Sequence, residues 1–222
     1  MTQSIKQVKN DARPMPQVIA VVGPFRSGTS CVAGMLHTLG VSMGQTFPRS
    51  APANQKGFFE CQHLRGFLSR VFVWPTLSER KVQADECVKM FCKNIALRSD
   101  DSDPIGVKHP ALCLLVPEMA EAWPELKIVS VNRDIESVVK SMGSPGLFPR
   151  MPEEKKRELI ERMIATRDAD IERLKIPTLS LDYADVLANP AKAVNDLIAF
   201  ADIPPSPDRA AAFVDPNLCH NN

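Results

Sequence analysis

Between residues 23 and 30 the chain reads Gly-Pro-Phe-Arg-Ser-Gly-Thr-Ser, directly after the β-branched run Val18-Ile-Ala-Val-Val22 and directly before a helix-forming stretch that reaches Leu39. Strand, glycine loop and helix in this order build an anion site. Backbone N–H groups from about Arg26 to Ser30 can wrap a cluster of anionic oxygens at the helix N-terminus, where unpaired donors and the helix dipole both favour negative charge. Gly23 and Gly28 permit the sharp turn and the close backbone approach. Arg26 places a cation inside the loop itself.

Other residues of the same chemistry follow at the ends of further apolar runs. Lys108, with His109 and Pro110 behind it, ends Ile105-Gly-Val107, and Arg133 follows Leu126-Lys-Ile-Val-Ser-Val131 and Asn132. Ser141 lies eight residues beyond Arg133. That is roughly two helical turns, so Ser141 returns toward the face of residue 133 and a guanidinium can fold along it toward a phosphate. An ion pair of Arg133 with Asp134 or Glu136 is the competing arrangement. Glu60 follows Phe58 and Phe59, and His63 comes three residues later, where a helix would put it on the same face.

Compared with the nucleotide-triphosphatase pattern G-x-x-x-x-G-K-[ST], the lysine position is Thr29 and the cation has moved to Arg26. No strand ends in a clear magnesium-binding Asp, so the loop lacks the usual β/γ-phosphate clamp and no metal is expected. Arg26-Ser-Gly-Thr-Ser30 resembles the 5′-phosphosulfate loop of sulfotransferases that use 3′-phosphoadenosine 5′-phosphosulfate (PAPS), in the Arg-Ser-Gly-Thr form of tyrosylprotein-type and many bacterial members. Arg133 and Ser141 match the pair that binds the donor's 3′-phosphate in that family. Three further segments are similar to stretches of bacterial members: Asn54-Gln-Lys-Gly57-Phe-Phe-Glu60, Val107-Lys108-His-Pro110, and Leu181-Asp-Tyr183-Ala-Asp185-Val-Leu-Ala-Asn-Pro190. Ala184 stands where the family carries Glu, and no Arg-Lys-Gly follows near the C-terminus.

The resemblance implies a P-loop-type sulfotransferase fold, PAPS as co-substrate, and transfer of a sulfuryl group to a hydroxyl or amine of a small-molecule or carbohydrate acceptor. It implies that Ser27, Gly28, Thr29 and Ser30 hold the 5′-phosphate while Arg26 meets the bridging oxygen. Glu60 is then the first candidate base, its pKa raised by the two phenylalanines, with His63 and His109 as alternatives; Lys108 would neutralise sulfuryl oxygens. A P-loop nucleotide or small-molecule kinase, and an inactive relative that binds adenosine bisphosphate, are the competing readings.

The elements that must position these residues alternate. Strands are expected at 18–22, 105–107, 126–131 and 177–181, with helices reaching Leu39, over Ala111–Ala122, from about Asp134 to Met142, and from Asn189-Pro190 through Phe200. Alternation predicts an α/β three-layer sandwich with a central parallel sheet, whose strand-to-helix loops share one edge. Residues 1–16 read as a flexible leader and 17–222 as one domain, within which 41–104 is too long for a plain crossover and is expected to hold helices that lid an acceptor pocket. Residues 151–175 carry seven basic and seven acidic residues and read as a solvated helix face with Glu153/Arg157 and Glu158/Arg162 pairs.

With 27 Lys+Arg against 26 Asp+Glu, the chain lacks the basic excess of a nucleic-acid or membrane binder. No apolar run is long enough to span a membrane, and the polar start carries no apolar signal core, which predicts a cytoplasmic protein. The six cysteines form no C-x-x-C pair and read as reduced thiols, and Cys61-x-His63 lacks further ligands at zinc spacing. Phe72 and Trp74 suit core packing, adenine stacking or an acceptor wall.

Overall fold

The computed structural model describes residues 16–46, 56–78, 80–96, 104–143, 148, 150–204 and 210–215. The leader up to residue 15, Asn54 and Gln55 of the 54–60 segment, and Cys219 lie outside the described residues. Four parallel strands, β1 (Val18–Val22), β2 (Ile105–Lys108), β3 (Leu126–Asn132) and β4 (Thr178–Asp182), form one sheet in the order β2-β1-β3-β4. Every residue of β1 is buried because the central strand is covered on both faces. Val18, Ala20 and Val22 enter one core, and Ile19 and Val21 the other. This is the α/β sandwich expected from the alternation.

Helices α1 (Thr29–Thr38) and α8 (Pro190–Ala201) close the Ile19/Val21 face, helped by the short α7 (Tyr183–Ala188), which the periodicity did not indicate. The other face takes α2 (Gln62–Val71), α3 (Ala84–Ala96), α4 (Val116–Ala122), α5 (Ile135–Met142) and α6 (Glu153–Leu174). Both helices between α1 and β2 bury an apolar stripe in this main core: Leu64, Phe67 and Leu68 from α2, Cys87, Phe91 and Ile95 from α3.

The helix expected over Ala111–Ala122 is broken in two. A 3₁₀ turn covers Pro110–Leu114 and α4 starts at Val116. Pro117 lacks the N–H that a continuous helix would need, so it is accommodated only in the first turn of a new one. The 151–175 stretch is one helix, but its partners are not the expected ones. Arg157 reaches Glu136 on α5 at 2.7 Å, and Arg162 donates to the carbonyls of Thr76 and Leu77 at 2.8 and 2.9 Å. Fixed tertiary acceptors win over the weak i,i+4 pairing of exposed side chains.

Candidate active site

The loop after β1 is built by two residues in the left-handed region, Arg26 (φ 63°) and Gly28 (φ 95°). Ser27 is buried and ties the turn down, its Oγ donating to the Pro24 carbonyl at 2.8 Å. Gly28 then caps α1, whose first-turn amides at Thr29 and Ser30 have no acceptor within the helix. Two glycines are sterically required. A Cβ at Gly23 would lie 2.6 Å from the Val131 carbonyl oxygen, and one at Gly28 would lie 2.2 Å from the Tyr183 ring.

Three cations converge on this loop because β1, β2 and β3 are parallel and end at the same edge. Lys108, the last residue of β2, is buried and donates from Nζ to Ser30 Oγ at 3.1 Å and to Glu60 Oε1 at 2.9 Å. Arg133, just after β3, donates from Nη1 to the Arg26 carbonyl at 3.1 Å and lies 5.6 Å from the centre of the Tyr183 ring. Arg26 donates from Nε to Ser141 Oγ at 2.8 Å. Lys108, Ser30 and Glu60 thus form one hydrogen-bonded group and Arg26, Arg133 and Ser141 a second, and the two share the 23–30 loop that carries Arg26 and Ser30. Asp134 caps α5 through the Ser137 N–H, and Glu136 pairs with Arg157, so both acids have specific partners other than Arg133.

The electrostatics of Glu60 run against the expectation. Burial raises its pKa most strongly, but Lys108, with His109 and Arg65, outweighs burial and holds the carboxyl below its ordinary value. Its partner comes from a strand 48 positions away, invisible to local reading. The shared helical face of Glu60 and His63 does not form either, because Cys61 caps α2 and Glu60 precedes the helix; His63 is exposed and Glu60 is buried. His109 is buried, its Nδ1 accepts the Ala111 N–H at 3.1 Å, and burial lowers its pKa to about 4, so the ring is neutral near pH 7.

An aromatic cluster borders the loop. Phe25 makes edge contacts with Trp74 at 6.0 Å and Phe148 at 5.1 Å, and Trp74 meets His109 at 5.6 Å. Phe72 is core, whereas Trp74 keeps 37% of its surface in solvent. Phe25 and Tyr183 were not singled out as site residues from the sequence. Tyr183 immediately follows β4, and the rule that places Lys108 and Arg133 at the loop-bearing edge applies to it equally.

A model of the sulfotransferase family matches residues 16–208. The chain belongs to the sulfotransferase family. The kinase reading falls, and the protein is an enzyme, a sulfotransferase, that moves a sulfonate group from a donor to an acceptor. Solved sulfotransferases share the fold at low identity. One from Mycobacterium avium has a TM-score of 0.60 at 13% identity, covering 90% of this chain and 67% of its own. The sulfotransferase domain of the Synechococcus PCC 7002 olefin synthase has 0.52 at 18%, covering 97% and 87%. A sulfotransferase from Mycobacterium tuberculosis H37Rv has 0.52 at 12%, covering 90% and 71%. No curated protein sequence matches. Among the described residues no helix of this sulfotransferase is long and apolar enough to cross a membrane.

Proposed function

We propose that the donor is PAPS, held by the 23–30 phosphate loop, and that the sulfuryl group passes to a hydroxyl or amine of a small-molecule or carbohydrate acceptor. The observation that carries this reading is the convergence of Arg26, Lys108 and Arg133 on one loop, with Lys108 reaching Ser30 and Arg133 reaching the Arg26 carbonyl. The N–H groups of Gly28, Thr29 and Ser30 take the 5′-phosphate oxygens, with Ser27 holding the turn. Ser141 receives Arg26 Nε and keeps its own O–H proton to donate, so Arg133 and Ser141 together suit the 3′-phosphate.

In the transfer the acceptor oxygen bonds to sulfur while the bond from sulfur to the bridging 5′-phosphate oxygen breaks. The acceptor proton goes to the Glu60 carboxylate, and the bond's electron pair leaves on adenosine 3′,5′-bisphosphate. Arg26 stabilises the charge growing on the bridging oxygen and Lys108 that on the sulfuryl oxygens, an electrostatic role worth a few kcal/mol. Glu60, ionised and buried beside Lys108, suits the base better than exposed His63 or than His109, whose Nδ1 is engaged with the backbone.

Titration calorimetry tests the donor. Adenosine 3′,5′-bisphosphate should bind at least about tenfold more tightly than ATP with magnesium, since only the former offers Arg133 and Ser141 a 3′-phosphate. Equal or reversed affinities would remove PAPS as the donor.

A further inference from the structure

Arg167 lies in the middle of α6, inside the charge-rich stretch expected to face solvent, yet it is only 1% exposed. Its Nε donates to Asp168 Oδ1 at 2.7 Å, and that carboxylate is 56% exposed. Its Nη2 donates to Asn132 Oδ1, also at 2.7 Å. Nη1 is buried without an acceptor among the described residues. A guanidinium does not lose its charge in a protein, so burying one with a nitrogen unmet is costly, and an apolar side chain of similar volume would pack as well or better. Packing alone does not explain an arginine here.

Its surroundings do. Asn132 ends β3 and immediately precedes Arg133, and its Nδ2 donates to Ser180 Oγ on β4 at 3.0 Å. Arg167 and Ser180 therefore hold the Asn132 amide from both sides, one from a helix and one from the neighbouring strand. Burial pushes the nearby Cys113 thiol up to about 12, and the Arg167 charge acts against that shift.

We infer that Arg167 is a positioning residue for the donor's 3′-phosphate: it fixes Asn132, and with it the strand end from which Arg133 reaches, and sets an incompletely paired positive charge behind the anion site. The inference rests on the reading of Arg133 as the 3′-phosphate residue. A purely structural arginine would affect folding without distinguishing one adenine nucleotide from another.

The test compares adenosine 3′,5′-bisphosphate with adenosine 5′-monophosphate in titrations of the wild type, Arg167→Met, Arg167→Lys and Ser180→Ala. Arg167→Met should weaken the bisphosphate about tenfold, the low end of what orienting partners carry at metal sites, and the monophosphate by less than about threefold. Lysine keeps the charge but not the two-armed geometry and should recover part of the loss. Ser180→Ala releases the other side of Asn132 without touching α6 and should weaken the bisphosphate about twofold. Unchanged bisphosphate affinity in Arg167→Met, or equal losses for both nucleotides, overturns the inference. If the methionine variant does not fold, unchanged bisphosphate affinity in both Arg167→Lys and Ser180→Ala does so. A wild type that binds no bisphosphate refutes the donor reading before any variant is made, whereas tight wild-type binding with insensitive variants refutes only the role of Arg167.

Discussion

On the β2 side of the 23–30 loop, Lys108 and Glu60 are both buried and neutralise each other at 2.9 Å. On the β3 side, Arg26 and Arg133 are half-buried and are held by a hydroxyl, a carbonyl and the face of Tyr183. These contacts hold the two guanidinium groups in place beside the loop, which suits the β3 flank to orienting an anion. An ion pair cancels the far field of both members and keeps a carboxylate ionised in a place where burial alone would protonate it. The β2 flank is therefore suited to proton removal and to charge that appears only during transfer.

Variants that affect one flank and spare the other would break or sharpen this division. Glu60→Ala should lower turnover about a hundredfold or more while leaving adenosine 3′,5′-bisphosphate affinity within about twofold. A loss of nucleotide affinity matching the loss of turnover would erase the distinction, and an undiminished rate would remove Glu60 from the mechanism. Arg133→Ala should weaken the bisphosphate about thirtyfold, the scale of one or two charge-assisted hydrogen bonds, as read by calorimetry. Unchanged affinity would sink the 3′-phosphate assignment.

A third effect, on stability, concerns pH. His109 falls from 6.5 to about 4 on burial, so between those values the unfolded chain takes up a proton that the folded chain refuses. Stability from this source is complete above pH 6.5 and declines as pH falls toward 4, by about 3 kcal/mol in all. Asparagine can accept the Ala111 N–H in place of Nδ1 and does not titrate. His109→Asn should flatten this part of the melting-temperature profile against pH. Identical slopes in wild type and variant would show that the ring does not carry the effect.

The β3 flank was legible in the sequence and the β2 flank only in part. The glycine loop between β1 and α1 announces itself because glycines, strand and helix must be contiguous, and Arg133 because parallel strands end at one edge. The burial of Glu60 was legible from Phe58 and Phe59, but the direction of its pKa shift was not, since Lys108 is remote in sequence and local hydrophobicity pointed the other way. Arg167 was lost among the charges of α6 because its polar partner Asn132 lies 35 residues earlier and no periodicity marks a buried guanidinium. The break at Leu115 was recoverable in principle, since Pro110 and Pro117 each mark the first turn of a separate element.

Arg26 combines two demands in one position. Its left-handed backbone costs a non-glycine residue on the order of 1 kcal/mol, and that same backbone turns its carbonyl toward Arg133 while its side chain reaches Ser141. Glycine would relieve the strain and discard the cation. Lysine would keep the charge without the forked reach, and a β-branched residue would suit neither. Substitutions at residue 26 therefore trade one requirement against the other, which narrows the mutational routes open to this loop more than at any neighbour whose backbone and side chain serve the same end.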